Sequence, residues 1–482
     1  MSTICERSMT YTVQLICAFV FAYIAIFGAP TVTCAADKAK PNIILIFTDD
    51  QGYGDIGCYG AEGFQTPHLD RMAAEGTRFT DFYVGCSVCS GSRTALLTGC
   101  HYQRLSVPAV LFPGSRNGLN PKEITSAEVL KPLGYRTGIV GKWHLGHRKP
   151  FLPTNQGFDY YYGIPYSNDM TIDPKHAEFA DDVVFREGMT AEKARSEKPT
   201  RNWVPLMRGE EVIEYPADQS TLTKRYAEEA VKFIQDSKGQ PFFLYVPHTM
   251  PHLPLFVSDD FKGRTKTLFG DIMEEIDWSV GQILKTVKEE GLDDNTLVIF
   301  TTDNGTRMGS SGPLRERKAS LYEGGYRVPC IVRWPGKVPA GKVNSEICAS
   351  IDMLPTIAAI SGGEVPSDRI IDGKDIRPLL LGEEGAKSPH EYYILAHGKG
   401  AARWGKWKYY PWPEGAGRRR QRNNPVDPDK PKVQLYNLED DLGETTNVAE
   451  DHPEIVERLA KAYQAHIEDI RKNRRPAGQV SD

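Results

Sequence analysis

The sequence has little cysteine, no excess of basic charge and no internal repeat. After its first 35 residues it has no apolar run long enough to cross a bilayer. Each shortage excludes something. Of nine cysteines in 482 residues, Cys5, Cys17 and Cys34 lie near the N-terminus, and Cys58, Cys86, Cys89, Cys100, Cys330 and Cys348 remain. So few thiols in so long a chain make no disulfide scaffold, and none is spaced with histidines as a zinc site would be. Lys and Arg number 58 against 63 Asp and Glu, a formal charge of −5. The chain therefore lacks the electrostatic footprint of a nucleic-acid binder, and any anion must be held by a local cluster. With 40% hydrophobic and 25% charged residues, disorder, collagen and coiled coil are excluded too.

What is present begins with a leader. Arg7 precedes an apolar run from Leu15 to Phe27, then Gly28, Pro30 and the small residues Thr33-Cys34-Ala35-Ala36. This is the pattern of a secretory signal peptide, residues 1–35, cut near Ala35. The run is short for a membrane span, and a lipoprotein signal at Cys34 fits less well. An exported protein (periplasmic, secreted or lumenal) with no stable membrane span is expected.

At roughly 150 residues per domain the length suggests about three domains, or one large α/β domain and a small one. Residues 40 to about 375 alternate strand and helix signals, which predicts a large, mostly parallel sheet flanked by helices. Asn42 to Phe47 reads as a buried central strand, and Tyr135–Val140, Phe242–Val246, Leu297–Phe300 and Ile331–Trp334 as further strands. Thr66 and Pro67 open a helix that Gly76 ends. Ile272, Met273, Ile276, Val280, Ile283, Leu284 and Val287 recur at helical spacing and belong to a core. A Gly-, Pro- and charge-rich stretch places a boundary near 375. Beyond it, 376–482 reads as a smaller α+β domain on an antiparallel sheet, with an amphipathic helix from about Pro453 to Asp469. A loop at 415–431 contains the run Arg418-Arg419-Arg420-x-Arg422.

Four predicted strands run straight into polar residues: Asp49-Asp50, Gly141-Lys142-Trp143-His144, His248 with His252, and Asp303-Asn304. Ligands of open α/β sheets bind beyond the carboxyl ends of the strands. Asp49, Asp50, Asp303 and Asn304 offer hard oxygens, suited to Ca²⁺ or Mg²⁺ rather than zinc. Taken singly, each pair is also common turn chemistry, and Asn304-Gly305-Thr306 is also a glycosylation sequon. Arg93, Lys142 and Lys318, with His144 and His252, would form a positive pocket for a tetrahedral oxyanion, a sulfate or phosphate ester. Thr94 to Leu97 look helical. That puts Cys89 near a helix N-terminus, where a thiol's pKa falls, with Arg93 on the same face.

Cys89-x-x-Ser92-Arg93-x-x-x-Leu97-Thr98-Gly99 resembles the signature of the formylglycine-dependent sulfatases of the alkaline phosphatase superfamily. Asp49-Asp50-x-Gly52-Tyr53-Gly54-Asp55, Gly141-Lys142-Trp143-His144-Leu145-Gly146, Lys318 with Tyr322-Glu323-Gly324-Gly325, and Leu435-Tyr436-Asn437-Leu438 are similar to further family segments, in the family's order. Gly163-Ile164-Pro165-Tyr166-Ser167-Asn168-Asp169 resembles the arylsulfatase A branch. One departure stands out: Gly91 occupies a position where the family usually has Pro or Ala.

The resemblance implies that a formylglycine-generating enzyme converts Cys89 to formylglycine (3-oxoalanine), whose hydrate is the nucleophile and passes through a covalent sulfoenzyme. It further implies one Ca²⁺ held by Asp49, Asp50, Asp303, Asn304 and an oxygen at position 89, with Arg93 favouring the alkoxide. Lys142, Lys318 and His252 would bind the sulfuryl group, and His252 would protonate the leaving oxygen. His144 would be the base that releases sulfate, while Ser167 and Asp169 would support the substrate, Asp169 touching it or His144. His248 is left between a core role and substrate contact. Export and the arginine run make a sulfated carbohydrate the expected substrate. Two rivals remain: a phosphomonoester or phosphonate hydrolase with the same pocket, and a non-catalytic secreted binder of sulfated glycans.

Overall fold

All seven residues of Asn42–Thr48 are buried, which requires a strand covered on both faces. The computed structural model describes residues 40–395, 400–413 and 432–481; the expected signal peptide and the Arg418–Arg422 run lie outside them. Five strands, β1 (Asn42–Thr48), β2 (Arg136–Val140), β3 (Tyr160–Gly163), β4 (Phe242–Pro247) and β5 (Thr296–Thr302), run parallel in the order β5-β1-β4-β2-β3.

Alternation along β1 builds a core on each face. Ile43, Leu45 and Phe47 pack with Leu96, Leu97, Ile351 and Met353. Ile44 and Ile46 pack with Phe233, Ile234, Ile272, Ile276, Val280 and Ile283. The helical stripe expected from Ile272 to Val287 is the buried face of the helix Leu268–Glu289. Each such side chain contributes about 1.5–3 kcal/mol by leaving water.

The sheet is mixed at its flanks. Beyond β5, Arg327–Arg333 runs antiparallel and pairs with Thr77–Tyr83, which takes Lys342–Asn344 and Cys348–Ala349 in parallel. Beyond β3 come Leu206–Arg208, Glu211–Tyr215 and Phe179–Phe185. Most of these flanking strands are short or carry charges, and sequence periodicity does not single them out. A separate antiparallel sheet, Tyr393–Leu395, Ala401–Trp404, Trp407–Tyr410 and Gln434–Asn437, packs Ala402, Tyr409 and Leu435 against Leu459 and Tyr463 of the helix Pro453–Lys472.

Thr66 stands at the N-cap of the helix Pro67–Ala74 but makes no side-chain cap bond. Its Oγ1 instead accepts from the Gly57 amide at 2.8 Å. No disulfide joins any of the six described cysteines, and Cys330 and Cys348 are buried thiols. Among the described residues no helix is long and apolar enough to cross a membrane.

Register delivers the functional side chains. Thr48 lies beside Thr302, and Phe47 beside both Thr301 and Pro247. Asp49, Asp303 and His248 therefore leave the sheet together at its carboxyl edge, with Lys142 two residues beyond β2.

Candidate active site

Cys89 is the first residue of the helix Cys89–Thr98, with Val88 extended as N-cap and no acidic residue in the first turn. The helix's unsatisfied N–H groups thus favour negative charge at position 89. Asp49 Oδ1 stands 3.7 Å and Lys318 Nζ 3.4 Å from the Cys89 Sγ. Lys142 Nζ donates to Asp49 Oδ2, and Lys318 Nζ to Asp50 Oδ1. Arg93, one helical turn from Cys89, places Nη2 3.0 Å from Asp303 Oδ2 and 3.7 Å from Asp49 Oδ2. Its Nη1 donates to the Lys142 carbonyl at 3.0 Å. Burial raises the Cys89 thiol, but Lys142 and Lys318 outweigh it and pull the pKa down to about 7. Burial likewise opposes ionisation of Asp49, yet Lys142, His252, Arg93 and Lys318 hold it well below the carboxylate range.

The donor set fits a hard divalent cation. Asp50 Oδ2 and Asn304 Oδ1 are buried with no hydrogen-bond partner, and an unmatched buried polar atom costs about 1–3 kcal/mol. Asn304 Nδ2 is committed to Asp50 Oδ1 at 2.7 Å and to the Gly305 carbonyl, which leaves its oxygen as the idle atom. Arg93, Lys142, Lys318 and the His252 cation already face three carboxylates here, so an added divalent ion makes the pocket more positive and receptive to a sulfate ester. Asn304 is fully buried, so its sequon is no accessible glycan acceptor. Asp50 adopts φ +65° and His144 φ +62°, a left-handed geometry costing about 1–3 kcal/mol for such residues.

The histidines divide by environment. His252 Nδ1 faces two oxygens, Asn168 Oδ1 at 2.9 Å and the Leu253 carbonyl at 2.6 Å. The hydrogen is therefore held on Nδ1, and Nε2 points at Asp50 Oδ2 from 3.7 Å. Burial disfavours its cation, but Asp50 and Asp49 raise it to about 9. His144 Nε2 lies 2.9 Å from the Leu111 carbonyl and donates to it, so the basic lone pair is on Nδ1, which is buried without a partner. Burial, reinforced by Lys142, holds His144 well below its usual range and neutral. His248 is removed from this chemistry: its Nε2 shares a contact with Ser279 Oγ at 3.3 Å, and burial pushes it down to about 4.

Ser167 Oγ lies 3.4 Å from His252 and accepts from Lys142 Nζ at 3.3 Å. The Asp169 carboxylate pairs with Arg201 at 3.3 Å. Cys89, Asp49, Asp50, Asp303, Asn304, Arg93, Lys142, Lys318, His252 and Ser167 thus join one network, with His144 beside it. Two supporting residues were not assigned roles from sequence. Asn168 orients His252, and Asp55 accepts the Gly52 and Ser310 amides at 2.7 Å each, bracing the Asp49-Asp50 turn. Both lie inside the quoted motifs, and that adjacency was their only signal.

Comparison with known proteins identifies the family. Residues 41–363 match the family model for sulfatases, and residues 316–473 the model of the N-sulphoglucosamine sulphohydrolase C-terminal region. Arylsulfatase A of Homo sapiens is 39% identical over 455 residues, covering 87% of this chain and 86% of its own. Arylsulfatase G of Rattus norvegicus is 35% identical, covering 88% and 85%. The crystal structure of Ps i-CgsB in complex with k-i-k-neocarrahexaose superposes with a TM-score of 0.75 at 29% identity, covering 88% of this chain and 92% of that one. The chain belongs to the sulfatase family and is a sulfuric ester hydrolase.

Proposed function

We propose that this hydrolase removes sulfate from a carbohydrate monoester, with formylglycine at position 89 as its nucleophile and one Ca²⁺ held by Asp49, Asp50, Asp303, Asn304 and position 89. The observation that carries the reading is the pair of idle buried oxygens, Asp50 Oδ2 and Asn304 Oδ1, set where Cys89 opens a helix against Asp49 and Lys318. The cation supplies Lewis acidity, and hydrated formylglycine supplies two hydroxyls, one to attack sulfur and one to expel sulfate.

The chain's own residues do the rest. Lys142 Nζ and Lys318 Nζ, which rest on Asp49 and Asp50, turn to the sulfuryl oxygens and offset their charge; losing one such donor typically costs on the order of 10²- to 10³-fold in rate. Arg93, locked by Asp303, stabilises negative charge at position 89. His252 Nε2 donates its proton to the leaving oxygen while Asn168 holds Nδ1. The neutral His144, with its lone pair on Nδ1, accepts the proton released at position 89 as sulfate departs. Ser167 and Asp169 border the substrate. Supporting the carbohydrate assignment is the bound neocarrahexaose in the superposable Ps i-CgsB structure. Export after cleavage near Ala35 and maturation by a formylglycine-generating enzyme complete the proposal.

Matched aryl sulfate and aryl phosphate esters, and then sulfated oligosaccharides, test it. Sulfate turnover well above phosphate turnover is expected. Preferred phosphate hydrolysis would assign the pocket to the other ester, and tight glycan binding without sulfate release would make the protein a binder.

A further inference from the structure

Outside the sulfate pocket, three more potential metal ligands converge on one point. His147 Nε2 and His176 Nδ1 lie 2.5 and 2.9 Å from the same atom, Asp173 Oδ2. His147 and Asp173 are buried to more than nine-tenths, and the His176 ring is 31% exposed. All three line a solvent-connected cavity of about 60 Å³ that also includes Pro165, Tyr166 and Glu210. We propose that His147, Asp173 and His176 form a second metal site, for zinc, in the wall of that cavity.

The donor chemistry sets the metal. Two imidazole nitrogens and one carboxylate oxygen form a zinc set; calcium and magnesium prefer all-oxygen shells. Three protein ligands leave a fourth position open to the cavity, as in sites where zinc takes water or a ligand. The ligands are preorganised. The His147 ring packs on Tyr166 with centroids 4.8 Å apart. Asp173 Oδ1 accepts the Lys175 amide at 3.2 Å, closing the turn that carries His176. Arg148 Nη1, 4.0 Å from Asp173 Oδ2, competes for the carboxylate, so binding is expected at micromolar rather than nanomolar zinc. His147 follows His144 by three residues, and Asp173 follows Asp169 by four. The ion would pin the two segments that bear active-site residues to each other, and would present an electrophilic position to a substrate hydroxyl or carboxylate in the cavity.

The test uses intact protein saturated with Ca²⁺ and stripped of zinc by a zinc-selective chelator. It is titrated with Zn²⁺ by calorimetry and with Co²⁺ by visible absorption. One equivalent is expected, with calcium retained and no thiolate-to-cobalt band. In His176→Ala, affinity should fall by more than about 100-fold, beyond what outer-sphere changes at metal sites typically produce; His176→Gln provides a second variant should the first not fold. The proposal is overturned by absence of zinc uptake, by equal uptake in the His176 variants, or by uptake that displaces calcium, which would place the ion at Asp49, Asp50, Asp303 and Asn304.

Discussion

Gly91 and Cys86 compete for one space: a Cβ on Gly91 would stand 2.7 Å from the Cys86 Sγ and 2.9 Å from its Cβ, with Tyr102 Cδ1 at 3.1 Å. The Gly91 amide also donates to the Ala109 carbonyl at 3.0 Å. The departure from the family's Pro or Ala is thus compensated within the fold, by a bulky neighbour in the place the missing side chain would take. Gly91→Ala should cost about 1–3 kcal/mol through overpacking, read from denaturant midpoints at unchanged slope. Cys86→Ala should relieve part of that loss. Strictly additive effects of the two substitutions would contradict the packing argument.

His252 Nε2 is the proton donor in this account, so its loss should matter most when the leaving group needs a proton. His252→Ala is expected to reduce turnover of an alkyl or sugar sulfate by on the order of 10²- to 10⁴-fold and that of an activated aryl sulfate by much less. Equal losses on both substrates would remove His252 from the acid role.

Removing the divalent ion should leave Asp50 Oδ2 and Asn304 Oδ1 as buried oxygens without a hydrogen-bond partner. Chelation is expected to abolish turnover and lower the melting temperature, with Ca²⁺ restoring both. Asn304→Ala should need at least about 10-fold more calcium for half-maximal activity. A chelated enzyme with full activity would count against the cation.

Asp372 supplies a pH-dependent link. Its carboxylate is gripped by Arg104 through Nε at 2.9 Å and Nη2 at 2.6 Å, and accepts the His101 amide at 2.9 Å. Arg104 also reaches Asp469 of the C-terminal helix. Burial opposes its charge, but the Arg104 bonds prevail and hold its pKa below the ordinary carboxylate value. A depressed folded pKa means stability that is present above about pH 4 and lost as pH falls through the folded value. Asp372→Asn should therefore destabilise the fold at neutral pH, and progressively less below pH 4. A pH-independent difference would exclude the charge as its cause.

The central sheet was legible because its strands are continuous apolar runs, and the site was legible because its residues sit directly after them. Asn42–Phe47, Phe242–Val246 and Leu297–Phe300 were found to within two residues. Their register, which sets Asp49 beside Asp303, was not, since pairing is a property of the assembled sheet. Nor did the sequence reveal which nitrogen of His144 is basic; the Leu111 carbonyl decides that, and a backbone oxygen has no signature. Asp169 pairs with Arg201, 32 residues away, a contact that no motif spacing announces. The room around Gly91 is likewise set by Cys86 and Tyr102, which meet it only once the chain has folded.

Catalysis as proposed depends on position 89 becoming an aldehyde. The direct measurement is fragmentation of the tryptic peptide Phe79–Arg93 by mass spectrometry, after expression with a formylglycine-generating enzyme. Fragmentation is needed because Cys86 lies on the same peptide as Cys89. Thiol-to-aldehyde conversion at position 89 alone is expected, in preparations that release sulfate. An unmodified Cys89 beside a control sulfatase converted in the same cells would contradict it.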